Sequence, residues 1–275
     1  AARYRLQGEI ARGGMGAILE VFDEDLRRRL AMKVILERRT DGGSTPATAA
    51  DPVALSRFLE EAQVTGQLDH PGIVPVHELG IDEHGRVYFT MRLVHGRHLE
   101  AIFDLAARGA EDWTTMRALG VLHKVCEAMA YAHEKGVVHR DLKPQNVMVG
   151  RFGEVYVMDW GLARVRTQDA PRDVQPASAS TTEPAPDPQR VATDRRDGSS
   201  GGSDRGLYTM DGDVVGTPSY MAPEQARGDV AAVDERSDVY SVGAMLYRLL
   251  AGVAPHAGEN STAVDIWRRV VAGPP

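Results

Sequence analysis

The octet His139-Arg140-Asp141-Leu142-Lys143-Pro144-Gln145-Asn146 constrains this chain more than any other stretch. It sets a carboxylate, an ammonium and an amide within six residues and closes them with a proline. Phosphoryl transfer needs a base to orient a hydroxyl, a cation near the moving phosphate and an oxygen ligand for magnesium. Asp141, Lys143 and Asn146 can fill those roles in that order. Downstream, the apolar run Val155-Tyr156-Val157-Met158 reads as a short strand, and Asp159-Trp160-Gly161 follows it. Magnesium prefers hard carboxylate oxygens and retains several waters, which suits Asp159. Gly161 allows a sharp turn where a Cβ would obstruct.

Two upstream segments carry compatible chemistry. Ile10-Ala11-Arg12-Gly13-Gly14-Met15-Gly16-Ala17-Ile18 lies between strand-like segments Tyr4 to Ile10 and Ala17 to Phe22. Glycines there let backbone N–H groups approach phosphate oxygens, although most such turns are only hairpins. Leu30 to Ile35 reads as a buried strand carrying one lysine, Lys33. A lysine in an apolar strand is costly unless paired. The next helix runs from about Pro52 to Leu68 and offers both Glu60 and Glu61, about 100° apart around the helix.

Together these segments resemble the protein kinases. The octet is similar to their catalytic loop, and its Lys-Pro pair to the serine/threonine branch. Asp-Trp-Gly resembles the Asp-Phe-Gly motif, and the Gly-Gly-Met-Gly loop looks like that of bacterial serine/threonine kinases, with Ala11 in place of the first glycine. The resemblance implies an α+β, bilobal kinase-like fold. It predicts an antiparallel sheet with one main helix over residues 1–91, a connector over 92–96, and a mostly helical lobe over 97–275 that stops short of a full kinase lobe.

The resemblance also implies roles. Asp141 would be the catalytic base and Lys143 its cation. Lys33 would contact the α- and β-phosphates and pair with a glutamate, for which Arg-Phe-x-x-Glu-Ala favours Glu61, leaving Glu60 to solvent. Asn146 and Asp159 would hold Mg²⁺, with Mn²⁺ as an alternative. Ile10, Gly13, Gly14 and Gly16 would cover the ATP phosphates. Ile18, Ala31 and Met148 would sandwich the adenine, whose edge would meet the backbone of Arg92 and Val94. Thr217 would contact Asp141 and Lys143, and Asp238 would anchor the loop backbone. Arg140 would receive an activation-segment phosphate, with Thr209, eight residues before Thr217, as the acceptor and Asp211 and Asp213 as partial substitutes.

Composition agrees with a folded enzyme. The chain has 275 residues, enough for a substantial core, with 43% hydrophobic and 26% charged residues. A net charge of −7 argues against broad nucleic-acid or anionic-membrane binding. Cys126 is the only cysteine, so no intrachain disulfide can form, and its apolar helical surroundings predict an inert core thiol. No apolar run reaches the roughly 18–20 residues of a membrane span. The expected location is cytoplasmic, alone or as part of a membrane-anchored protein. The start at Ala-Ala-Arg suggests an excised fragment.

From 167 to 211 the chain is rich in Pro, Ser, Thr, Asp, Arg and Gly. Such a stretch cannot offset an ordering cost of roughly 1–2 kcal/mol per residue, and disorder is expected over most of it. Loop closure grows only logarithmically with length, so a kinase fold can carry the insertion between Asp159 and Ala222-Pro223-Glu224. No arginine past Arg269 follows to pair Glu224, which is therefore expected to lack a partner. The activity implied is ATP-dependent transfer to protein Ser/Thr hydroxyls, with autophosphorylation through self-association. The alternative is a nucleotide-binding module without catalysis. A small-molecule phosphotransferase would lack both Lys143-Pro144 and the Ala-Pro-Glu platform.

Overall fold

The computed structural model describes residues 3–13, 16–36, 51–165, 190–193, 218–258 and 261–273. Its first part is an antiparallel five-stranded sheet with strand order β1-β2-β3-β5-β4. The strands are β1 (Tyr4–Arg12), β2 (Gly16–Asp23), β3 (Arg28–Ile35), β4 (Val76–Ile81) and β5 (Val87–Arg92). Helix α1 (Pro52–Gln67) interrupts them between β3 and β4. It starts where Asp51 accepts the Val53 N–H and Pro52 occupies the first turn, where a missing N–H costs nothing.

The period of two along β3 splits its side chains between two cores. Leu30, Met32 and Val34 pack with Ala17, Val21 and Tyr88 on one face. Ala31 and Ile35 pack on the other with Phe58 and Ala62 of α1 and Phe89 of β5. The Phe58 and Phe89 rings lie 5.0 Å apart, and burying each contributes about 1.5–3 kcal/mol. Lys33 shares this second face, so its side chain is directed at α1 rather than at water. At Gly16 any Cβ would overlap the Val34 carbonyl oxygen, so β2 can lie against β3 only with glycine there.

After β6 (Gly96–His98) come α2 (Leu99–Arg108) and α3 (Thr115–Glu134), then β7 (Val137–Val138), β8 (Val147–Gly150), β9 (Val155–Val157) and β10 (Arg164–Val165). Helices α4 (Pro223–Ala226), α5 (Glu235–Ala251) and α6 (Ala263–Ala272) follow. Strands β6, β8 and β9 form a small sheet, and β7 pairs with β10. The largest core cluster joins α2, α3 and α5 to Leu142, Val147, Val157 and Trp160 around the octet. Val64 and Leu68 of α1 also enter this cluster, which ties the helix to both parts of the molecule. The result is the bilobal arrangement expected of the kinase fold.

Three expectations need correction. Cys126 is exposed rather than a core thiol. The buried stripe of α3 runs through Val121, Leu122, Val125, Ala128, Met129 and Ala132, and Cys126 is turned about 100° from Val125. The stretch expected to be disordered contains a packed piece: Val191 is buried in the large core cluster. Glu224 has a partner, because Ser237 donates its hydroxyl to Glu224 Oε1 at 2.5 Å. A serine at the start of α5 does what an arginine was expected to do.

Candidate active site

Lys33 and Glu61 meet between β3 and α1. Lys33 Nζ donates to Glu61 Oε1 at 2.6 Å and Oε2 at 2.7 Å. Burial raises the Glu61 carboxyl above the ordinary carboxylate range; Lys33 opposes this and Asp159 adds to it. Glu60 is half-buried rather than solvent-facing. Lys33 Nζ also lies 3.9 Å from Asp159 Oδ1. Asp159 has a positive φ of 60°, a conformation uncommon for a non-glycine residue. Its side chain is half-exposed on the cleft side. A Cβ on Gly161 would sit 3.1 Å from Glu61 Oε2, so glycine lets this turn lie close against the ion pair.

The octet is held from below and from within. Asp238, 1% exposed on α5, accepts the His139 N–H at 2.8 Å and the Arg140 N–H at 2.9 Å. It also contacts His133 Nε2 at 2.8 Å. The fully buried His139 ring spans the loop. Its Nδ1 accepts the Asp141 N–H at 3.2 Å, and its Nε2 therefore donates to the Met158 carbonyl at 3.0 Å. One imidazole thus couples the backbone of Asp141 to the residue before Asp159. Trp160 packs on this ring, with centroids 4.6 Å apart. The Trp160 indole N–H is buried with no hydrogen-bond partner among the described residues.

Lys143 Nζ donates to Asp141 Oδ1 at 3.0 Å and Oδ2 at 2.7 Å. Asn146 Nδ2 donates to the Asp141 carbonyl at 2.8 Å and to Oδ2 at 3.0 Å. With its nitrogen spent on Asp141, Asn146 presents its amide oxygen as the remaining donor atom. That oxygen and the Asp159 carboxylate are a hard-oxygen pair, which fits a magnesium ion that takes its other ligands from phosphates and water. Among the described residues no cluster of three or more His, Cys, Asp or Glu side chains could hold a metal unaided.

The nucleotide-facing residues are partly gathered. Ile18 and Val94 pack against the cluster that contains Ala31. Met148 is half-buried on β8, opposite His98 and Tyr156. Ile10 is 49% exposed at a register shift between β1 and β2. The Gly13 N–H closes the loop onto the Gly16 carbonyl at 2.9 Å. Arg92 takes its side chain away from the cleft to donate to the Tyr156 hydroxyl. Gly14, Thr209 and Thr217 lie outside the described residues. Arg140 has a φ of 70°, and its carbonyl accepts from Gln225 Nε2 at 2.7 Å.

A protein kinase domain matches residues 4–184, a span that contains the glycine loop, the ion pair, the octet and Asp159. The chain belongs to the protein kinase family. The kinase is 35% identical over 264 residues to "Serine/threonine-protein kinase PknD" of Chlamydia muridarum, covering 92% of this chain and 25% of that protein. It is 36% identical over 260 residues to the protein of the same name from Protochlamydia amoebophila, covering 92% and 23%. A third relative of that name, from Chlamydia caviae, is 31% identical over 277 residues, covering 98% and 26%. The chain thus spans about a quarter of the length of these relatives.

Sequence reasoning did not assign the kinase's His139, Gln225 and Ser237. Each is a polar residue buried beside the octet or the Ala-Pro-Glu segment. The signal was available for His139, a histidine next to a charged pair in an otherwise apolar approach, but its two partners are set only by the fold.

Proposed function

We propose that this chain transfers the γ-phosphate of ATP, with Mg²⁺, to serine and threonine hydroxyls of proteins, itself included. The observation that carries the reading is the continuous polar chain Glu61–Lys33–Asp159 above and Lys143–Asp141–Asn146 below, on either side of one cleft. Lys33, held by Glu61, would bind the α- and β-phosphates. Asp141, oriented by the His139 ring and by Asn146, would accept a hydrogen bond from the substrate hydroxyl and take its proton. Lys143 would neutralise charge on the moving phosphoryl group. Asn146 and Asp159 would hold Mg²⁺, which would supply charge neutralisation between the β- and γ-phosphates. Ile10, Gly13, Gly14 and Gly16 would cover the nucleotide, with Ile18, Ala31, Met148, Arg92 and Val94 around the base.

The names of the similar bacterial proteins support Ser/Thr specificity, as does the Lys143-Pro144 pair. We place the reaction in the cytoplasm, where ATP is supplied; no helix among the described residues is long and apolar enough to cross a membrane. Thr209 is the proposed acceptor for self-modification, with Arg140 as the residue that receives its phosphate.

The deciding comparison is γ-phosphate transfer to the chain itself and to a generic basic protein, wild type against Asp141→Asn. We expect a loss of at least about a thousandfold in the variant. Equal incorporation would sink the catalytic assignment, and ATP binding without transfer by either would favour a non-catalytic signalling module. Mass spectrometry of the product tests Thr209, and a rate that falls on dilution tests transfer between copies.

A further inference from the structure

We propose that Gln67, Val191 and Ala192 form a strap by which the segment between Val165 and Pro218 positions helix α1, and through it Glu61, for phosphoryl transfer. The inference rests on the catalytic reading above. The stretch from 175 to 206 contains a single Val, Leu, Ile, Met or aromatic residue, and it is Val191. That one side chain is 5% exposed and belongs to the core cluster that also holds Val64 and Leu68 of α1, Ala132 of α3 and Val137. A polar segment has thus placed its one large apolar anchor where α1 meets the helical lobe.

The anchor is reinforced on both sides. The Val191 N–H donates to the Lys135 carbonyl at 3.3 Å, at the end of α3. The side-chain amide of Gln67 pairs with both backbone groups of Ala192. Gln67 Nε2 donates to the Ala192 carbonyl at 2.7 Å, and the Ala192 N–H donates to Gln67 Oε1 at 3.1 Å. Gln67 Nε2 also donates to the Gln63 carbonyl at 2.8 Å, which holds the amide against its own helix. A two-point pair between a rigid amide and an extended backbone constrains orientation as well as distance, as strand pairing does.

Glu61 is six residues upstream on the same helix, a rise of about 9 Å. A helix moves as a unit over that length, so restraint at Gln67 bears on the carboxylate that holds Lys33. The loop after α1 has its own tie to α3, through the Asp69 N–H to the Tyr131 hydroxyl at 3.2 Å and the stacked His70 and Tyr131 rings. The strap acts one turn earlier, on the helix itself, and comes from a segment that also leads to Thr217. The same segment that would present the substrate platform therefore holds the ion pair in its productive place.

The test uses the full chain with Gln67→Ala, Val191→Asp and the conservative Val191→Ile. Steady-state transfer gives kcat and the KM for ATP, and hydrogen–deuterium exchange reads the amides of α1. We expect Gln67→Ala and Val191→Asp each to lower kcat about tenfold while KM changes less than about twofold. Both should speed exchange over the second half of α1, and Val191→Ile should match wild type in both readouts. Should Val191→Asp fail to fold, Gln67→Ala, whose side chain is exposed, still decides. Wild-type kcat in Gln67→Ala, or α1 exchange unchanged from wild type, overturns the strap. If wild type transfers no more phosphate than Asp141→Asn, the catalytic reading fails instead, and exchange alone judges the strap.

Discussion

Glu61 shows how one residue can carry opposite demands. Two short contacts to Lys33 favour its charge, while burial, aided by Asp159, disfavours it and raises its carboxyl above the ordinary range. The sign follows directly. A raised folded value means that this group's contribution to stability is full below its unfolded value and is lost as pH rises through the folded one. The ion pair behaves oppositely, because it exists only when Glu61 is ionised. Activity should therefore fall on acidification before the ordinary glutamate value of about 4.3 is reached. A pH profile of kcat/KM should show this acid limb, and Glu61→Gln should flatten it; a limb unchanged in the variant would assign it to another group. Trp160 carries a different tension, a buried donor without a partner among the described residues, a state that costs about 1–3 kcal/mol.

At the scale of the element, the glycine loop is two elements with separate reasons for glycine. A Cβ on Gly13 would meet nothing within 4 Å, whereas one on Gly16 would overlap the Val34 carbonyl. Gly16→Ala should thus push β2 from β3 and cost about 1–3 kcal/mol through overpacking, a fall in Tm of roughly 2–12 °C for a chain of this size. Gly13→Ala should leave the melt unchanged and act only on ATP affinity. Equal melting of the two variants would refute the distinction. The helices follow the same local logic: α3 begins where Thr114 accepts the Arg117 N–H at 3.2 Å, and α6 begins with a reciprocal cap between Thr262 and Asp265.

Across the whole molecule, the two core regions are joined by a few polar contacts rather than by a shared sheet. Asp238 is the most consequential, since it takes two backbone N–H groups of the octet and one histidine from a position 1% exposed. Asp238→Ala would strand buried donors and should cost at least about 3 kcal/mol, with kcat falling further than the folded fraction does. Thermal melts and kinetics on the same preparation check this. A variant that melts like wild type would show that water replaces the carboxylate. On the far side, Arg248 ties α5 to α2 through Glu100 at 2.8 Å and Asp104 at 2.6 Å, which keeps the floor beneath Asp238 in place.

The order of elements was legible in the chain because it is local. The period of two in β3, the spacing from Pro52 to Leu68 and the run before Asp159 each depend on neighbours a few residues away. So did the reacting groups Asp141, Lys143, Asn146 and Asp159, which lie within nineteen positions of one another. Cys126 was misplaced because a shift of one residue on a helix turns a side chain by about 100°, and composition cannot see that angle. Glu224 was expected alone because sequence offers only like-for-like substitutes, while space offered a serine thirteen residues away. Sequence alone therefore determined which groups are present and the order in which they come. Tertiary structure decided which of them meet: Glu61 with Lys33 across 28 residues, Asp238 with His139 across 99, and Gln67 with Ala192 across 125. Such contacts depend on how packed layers close around a core, which no short window of residues records.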